Sequence, residues 1–186
     1  MNKKIEENQI LEFVTLSQEG DTEAFAKLYD IFLTQIYRYI YFRADKADAE
    51  DLTELVFTKA FENIKSFRKS TFKFSSWLFR IAHNTVIDYY RGRREIIEIS
   101  ENLPDEKEEN NPRLRAEKMM DKDYLKSALR SLNESQRQVI ILKFVNDFSN
   151  REISTIMGKR EGAIRILQLR ALKNLRNILQ EENIHY

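Results

Sequence analysis

Apolar residues return every three or four positions through most of this chain, which is the period of helices with one buried face. Ile10, Leu11, Phe13, Val14 and Leu16 predict a first helix over Asn8–Glu19, and Gly20-Asp21-Thr22 interrupts it. Asp21 or Thr22 is placed to cap a long second helix through Arg43, with Phe25, Leu28, Phe32, Ile36, Tyr39 and Ile40 facing inward. A polar link, Ala44–Ala47, precedes a third helix starting near Asp48, in which Leu52, Leu55, Val56, Phe57 and Phe61 are the inward set. Ser66–Ser75 reads as a loop, and Trp77, Leu78, Ile81, Ala82 and Val86 then define a fourth helix, which Ser75 or Ser76 can cap. Trp77, a large ring on the apolar face of that helix, has two readings, core first and a base-stacking platform second. A separate polar stripe carries Arg80, Asn84, Asp88 and Arg91, and Arg93 and Arg94 crowd the helix end.

The pattern lapses over Glu95–Asp123, which holds both prolines and many acids and has the composition of a linker, so a domain boundary belongs there. It resumes in a helix near Tyr124–Ser131. Asn133 and Gln136 form an N-x-x-Q cap signal ahead of the next helix, and Asn146-Asp147 is a turn. Ser149 with Glu152 is an S-x-x-E capping box heading a short helix through Met157, and Gly158 permits a sharp turn into a long helix over Arg160–Leu179. A short capped helix, a glycine turn and a longer basic helix make a helix-turn-helix. Its core set is Ile153, Ile156, Met157, Ile164, Leu167, Ala171, Leu172 and Leu175.

Charge sharpens this division. The net charge of the 186 residues is only +1, yet its distribution is strongly segregated. Met1–Ile64 carries 7 basic against 13 acidic residues, and Lys65–Arg94 carries 8 against 1. Glu95–Asp123 carries 5 against 10, and Arg130–Leu179 carries 10 against 4. Two basic blocks flank an acidic connector, the arrangement of two polyanion contacts on one chain. With no cysteine, disulfides, thiolate metal sites and thiol catalysis are excluded, and only His83 and His185 remain for imidazole chemistry. Neither a nucleophile–base pair nor a metal cluster can be assembled, so no enzymatic activity, metal or cofactor is expected. No apolar run reaches the roughly 20 residues of a membrane span, and the charged start lacks the apolar core of a signal peptide, which predicts a cytoplasmic protein.

Two surfaces follow from the residues themselves. In the helix-turn-helix, Arg160, Arg165, Leu169 and Arg170 are placed to face a DNA major groove, with Arg151 and Lys159 on phosphates. Along Phe72–Arg94, aromatic rings beside guanidinium groups suit unstacked bases and phosphates. A core helix whose basic end complements its own dipole explains that stretch equally well. The acids opening the third helix also have two readings: they complement the helix dipole, or Asp51, Leu52 and Phe57 contribute to a surface for a partner protein.

Four stretches, in order, resemble the extracytoplasmic-function sigma factors of bacteria: DTEAFAKLYDIF (Asp21–Phe32), DAEDLTELVFTKAF (Asp48–Phe61), SSWLFRIAHNTVIDYYRGRR (Ser75–Arg94) and the helix-turn-helix region Leu129–Arg176. The resemblance implies an all-α fold of two helical domains joined by a flexible acidic linker. A region 2 bundle would occupy residues 1–94, the linker 95–123 and a region 4 helix-turn-helix 124–186. It implies that the chain binds core RNA polymerase, through its β and β′ subunits, and directs it to promoter DNA. The implied core-binding residues are Asp48, Asp51, Leu52, Val56 and Phe57. Those implied for the −10 element are Arg68, Lys69, Ser70 and Lys73 on a base-capturing loop, then Arg80, Asn84, Asp88, Arg91, Arg93 and Arg94 on a reading helix. For the −35 element they are Arg151, Lys159, Arg160, Arg165, Leu169 and Arg170. An anti-sigma factor is the further partner the resemblance implies. The chain departs from the family where Lys159-Arg160-Glu161-Gly162 opens the recognition helix and Ile166-Leu167 replaces a common Ser-Arg pair. Two rival functions share the same motifs: a stand-alone helix-turn-helix regulator, which binds DNA tightly without a polymerase, and a decoy that titrates an anti-sigma factor, which has no use for phosphate-binding arginines.

Overall fold

The computed structural model describes residues 6–99 and 125–183, with side chains over 6–93 and 125–180. Among these, helices α1 (Glu7–Gln18), α2 (Thr22–Tyr41), α3 (Ala49–Asn63) and α4 (Phe74–Ile99) form the first half. A short helix α5 (125–130), α6 (Glu134–Ile140), α7 (Asn150–Met157) and α8 (Glu161–Asn183) form the second. The described regular structure is all helical, as the periodicity predicts. Most of the acidic stretch 95–123 lies outside the described residues, although α4 continues through its first five positions to Ile99.

Local signals act where the residues place them. Asp21 accepts hydrogen bonds from the backbone N–H groups of Glu23 and Ala24, so it and not Thr22 caps α2. Ser149 and Glu152 form both bonds of the capping box on α7, and Gly158 ends that helix at φ +63°. Asn133 caps α6 through the Gln136 N–H, but the Gln136 side chain does not return the bond; its carbonyl accepts from Asn174 on α8. The start of α4 differs from expectation. That helix opens at Phe74, so Ser75 and Ser76 sit inside its first turn, and the Ser76 hydroxyl is buried without a hydrogen-bond partner.

In the first half, α1 packs on α2, α2 on α3 and α3 on α4. Leu28, Phe32, Ile36, Tyr39 and Ile40 from α2 meet Leu52, Val56 and Phe57 from α3 and Leu78, Phe79, Ala82 and Val86 from α4. Two apolar residues of α3 fall on the other side: Leu55 is 42% exposed and Phe61 46%, the latter touching Phe25 edge-on. In the second half, α6 and α7 pack on α8 around Ile153, Ile156, Ile164 and Ala171. Leu167 and Leu175 are half-buried, whereas Leu172 faces solvent because it lies on the outer side of α8.

The second half does not hang free of the first. Helix α7 packs along α4, and a single π-turn (Ile141–Val145) that follows α6 rests on α2. Phe148 stands edge-on to Phe79 with ring centroids 4.7 Å apart. Beside this contact lies a buried polar network. The Gln138 amide nitrogen donates to the Tyr39 hydroxyl (3.1 Å) and approaches His83 Nδ1 (2.6 Å). Arg43, with a fully buried side chain, bonds the Tyr39 hydroxyl and ion-pairs with Glu134.

The network sets the charge state of His83. An amide N–H has only hydrogen to offer, so Nδ1 must accept and the ring must be neutral. Burial first, and the Arg43 guanidinium second, push His83 down to about 4. Below the ordinary imidazole range the unfolded chain therefore binds a proton that the folded chain refuses, and folding stability must rise with pH between about 4 and 6.5. A series of thermal melts over that window should show the melting temperature falling as pH is lowered, with a shallower slope in His83→Asn. Equal slopes for the two proteins would contradict the buried, neutral ring.

Candidate nucleic-acid interface

The loop between α3 and α4 is pinned at its base. Gln18 on α1 donates through its amide to the carbonyls of Ile64 (2.9 Å) and Phe67 (3.0 Å). Phe67 and Phe74 pack edge-on, and Trp77 touches both rings. The Arg68 guanidinium bonds the carbonyls of Lys65 and Phe67, which tightens the turn while leaving the residue exposed.

Above this base, α3, the loop and α4 enclose a recess of about 440 Å³. Lys59 and Asn63 line it from α3, Arg68 and Phe72 from the loop, and Trp77, Arg80 and Asn84 from α4. Its size lies within the usual range for small-ligand sites. The lining offers aromatic faces, amide donors and acceptors, and three cations, which suits a planar heterocycle attached to a phosphate. Trp77 thus packs on the core with one side and faces the recess with the other. Lys59 and Asn63 are additions that sequence reasoning missed; both sit on a helix whose acids and leucines drew attention to its opposite end.

The stripe Arg80, Asn84, Asp88 and Arg91 runs exposed along α4, with Arg91 paired to Asp88 at 3.2 Å. The other residues expected at this surface are distributed differently. Lys69 and Ser70 are exposed on the loop, while Lys73 is held by Glu152 of α7 at 3.2 Å and Glu7 of α1 at 3.7 Å. Arg93 turns toward Asp45 (3.3 Å) and Asp48 (3.7 Å) and accordingly lies beside α3, not on the recess. The side chain of Arg94 lies outside the described residues.

The residues expected to bind a partner on α3 divide between core and surface. Leu52, Val56 and Phe57 are 4%, 0% and 4% exposed and belong to the core, because they project toward α2 and α4. The solvent face of α3 includes Glu50, Asp51, Glu54, Leu55, Thr58 and Phe61, with Asp48 at the helix start beside Arg93. Leu55 thus stands exposed beside Glu54 and one turn from Asp51.

In the second half, Arg151, Lys159, Arg160 and Arg170 are exposed, and Arg165 is exposed while paired to Glu161 at 2.7 Å. Leu169 is 71% exposed and Ile166 55%, so the outer face of α8 mixes cations with apolar side chains. Ile166, which departs from the family pattern, is thus a surface residue, whereas its neighbour Leu167 packs inward. Among the described residues, no cluster of His, Asp and Glu could hold a metal ion, and no helix is long and apolar enough to cross a membrane.

Comparison with known proteins accounts for both halves. Residues 28–96 match the Sigma-70 region 2 family model and residues 122–175 the model for Sigma-70, region 4. The chain is 36% identical over 177 residues to the ECF RNA polymerase sigma factor BldN of Streptomyces coelicolor, covering 94% of this chain and 67% of that one. The chain belongs to the ECF RNA polymerase sigma factors. Another relative is the sigma factor SigM of Bacillus subtilis, 28% identical over 151 residues, with 81% of this chain and 91% of SigM covered. Among solved structures, the sigma factor RpoE in complex with the anti-sigma factor NepR from Bartonella quintana matches with a TM-score of 0.71. That pair is 26% identical and covers 84% of this chain and 96% of RpoE. Sigma regions 2 and 4 bind core RNA polymerase and promoter DNA, and this sigma factor carries both.

Proposed function

We propose that this sigma factor captures an unpaired base of the −10 element in the recess between α3, the loop and α4, and reads the −35 element with the outer face of α8. The observation that carries the reading is the recess itself, which joins an aromatic wall to Arg68, Arg80 and Asn84 on the side open to solvent. Extruding a base costs a few kcal/mol of stacking, and aromatic stacking with hydrogen bonds to the base edge returns energy of that order. Arg80 and Asn84 supply edge contacts, and Lys69, Arg68 and Arg91 supply phosphate contacts. On α8, Arg165 and Leu169 face the bases, with Arg151, Lys159, Arg160 and Arg170 set around them for phosphates.

Region 2 would span residues 1–94 and region 4 residues 124–186, with the acidic linker setting reach between them. Core polymerase docks on the exposed face of α3 around Asp51 and Leu55. The polymerase makes the phosphodiester bonds, and the sigma factor itself catalyses no reaction. It works in the cytoplasm, where the polymerase is. The likeness to a sigma factor bound to its anti-sigma factor supports such a partner for this chain as well.

A pull-down with core polymerase tests the docking face. Leu55→Asp places a charge in the contact without disturbing the core and should weaken core binding by at least tenfold with an unchanged melting temperature. Leu52→Ala should do the reverse, lowering stability and leaving core binding by the folded protein near wild type. Tight, sequence-specific promoter binding by the wild type without polymerase would instead favour a stand-alone regulator.

A further inference from the structure

The outward face of α8 carries an apolar pair that the fold does not use. Leu169 is 71% exposed and Ile166 55%, and Ile166 is a position where the chain departs from the family pattern. At about 100° per residue, Ile166 lies about 160° round the helix from Ile164, and Leu169 lies at the same angle from Ala171. Ile164 and Ala171 are fully buried, so the pair points directly away from the core. An ordinary surface helix places charged or polar groups on that face. Arg165 and Arg170, both exposed, stand beside the pair, and exposed Lys173 follows one turn on. Gly162, one turn before Ile166, adds no side chain, although a Cβ there would meet nothing within 4 Å. The first turn of α8 is thereby left low on the side from which a duplex would approach.

Cations around a small apolar centre fit a particular feature of the duplex. Phosphates attract the arginines, but an aliphatic side chain has nothing to offer a phosphate or a base edge made only of donors and acceptors. In the major groove the apolar group on the base edges is the C5-methyl of thymine. Guanine N7 and O6, or the amino groups of adenine and cytosine, would lose water against Ile166 or Leu169 without gaining a hydrogen bond. The two side chains stand three residues apart, about 4.5 Å along the helix, which is close to one base step of about 3.4 Å.

We infer that Ile166 and Leu169 read the C5-methyl groups of thymines at two neighbouring base pairs of the −35 element, and so set sequence choice where the surrounding cations set affinity. The inference rests on α8 reading that element, as proposed above, and adds which base it prefers and by what contact. Arg165 is paired to Glu161 at 2.7 Å, which draws its guanidinium toward the N-terminal turn and leaves the apolar pair uncovered. Enclosing one methyl group against an aliphatic side chain should favour binding about fourfold.

Removing the methyl alone tests this, because uracil keeps every hydrogen-bonding group of thymine. Promoter fragments randomised over the −35 region are selected by the full-length sigma factor with core polymerase, and each thymine of the selected element is then replaced by deoxyuridine. Neighbouring A·T pairs are expected in that element, and uracil at two of its thymines should weaken holoenzyme binding about fourfold each. Ile166→Ser should abolish the penalty at one of these positions and Leu169→Ser at the other, both with an unchanged melting temperature, while Ile166→Val keeps it. The uracil series on the wild type decides without any variant having to fold. Wild-type binding that tolerates uracil at every thymine of a definite −35 element overturns the methyl contact and leaves α8 as the reader. A selection that returns no preference in that region overturns the reading by α8 as well. Serine variants that keep the full uracil penalty overturn the contact too. So does a serine variant that loses core polymerase binding in the absence of DNA, since the pair then belongs to a protein partner.

Discussion

Phe79→Ala is expected to lower the unfolding free energy by about 3–5 kcal/mol, the range for emptying a buried aromatic site. Phe79 is fully buried and lies against Tyr39 at 5.3 Å and Phe148 at 4.7 Å between ring centroids. The ring therefore belongs at once to the region 2 core and to the contact with region 4, and no single neighbour can move to fill its place. For a chain of this size the melting temperature should drop by roughly 10 °C. Urea titration followed by circular dichroism measures the change, with Ile87→Ala on the same helix as the control. Ile87 is 39% exposed, and its truncation should cost under about 1 kcal/mol. A loss for Phe79→Ala no larger than that of the control would mean that the ring is not enclosed in solution.

Arg80→Ala combined with Asn84→Ala should reduce run-off transcription on the order of a hundredfold, since each base-edge contact contributes about 1–3 kcal/mol. Both residues are exposed and lie one turn apart on α4, at the rim of the same recess, so their removal leaves the core intact. The template would be a promoter selected from random sequence by the wild-type holoenzyme. Three further measurements locate the defect: melting temperature and core polymerase binding should not change, and 2-aminopurine placed at the −10 element should lose its fluorescence change on complex formation. Full transcription by the double variant would move base capture away from this recess.

The helix-turn-helix was legible because its signals are local. Ser149 and Glu152 lie one turn apart, Gly158 is the one residue type that enters a left-handed turn without strain, and both act within a few residues of themselves. The polar stripe on α4 was legible for the same reason. On α3 the pattern was ambiguous: Leu52, Leu55, Val56, Phe57 and Phe61 spread around the helix, and only the positions of α2 and α4 decide that Leu55 and Phe61 are left outside. Arg43 was not legible at all. At the end of an amphipathic helix a cation reads as solvated, and its burial depends on Glu134, 91 positions later, which no periodicity connects to it. A separation of 55 positions likewise hides the pairing of Gln138 with His83, which look like ordinary helix-surface residues until the two halves meet.

The Arg43–Glu134 pair gives the joint between the halves a temperature coefficient of its own. Hydration of charged groups becomes more favourable on cooling, so separating the pair grows easier in the cold. The apolar part of the joint, Phe79 against Phe148, weakens in the same direction, because hydrophobic association fades as water cools. Many more buried apolar residues lie inside the two halves than along the joint, so the joint is the part of the molecule expected to respond first. Cooling this sigma factor should therefore part its halves well before either one unfolds.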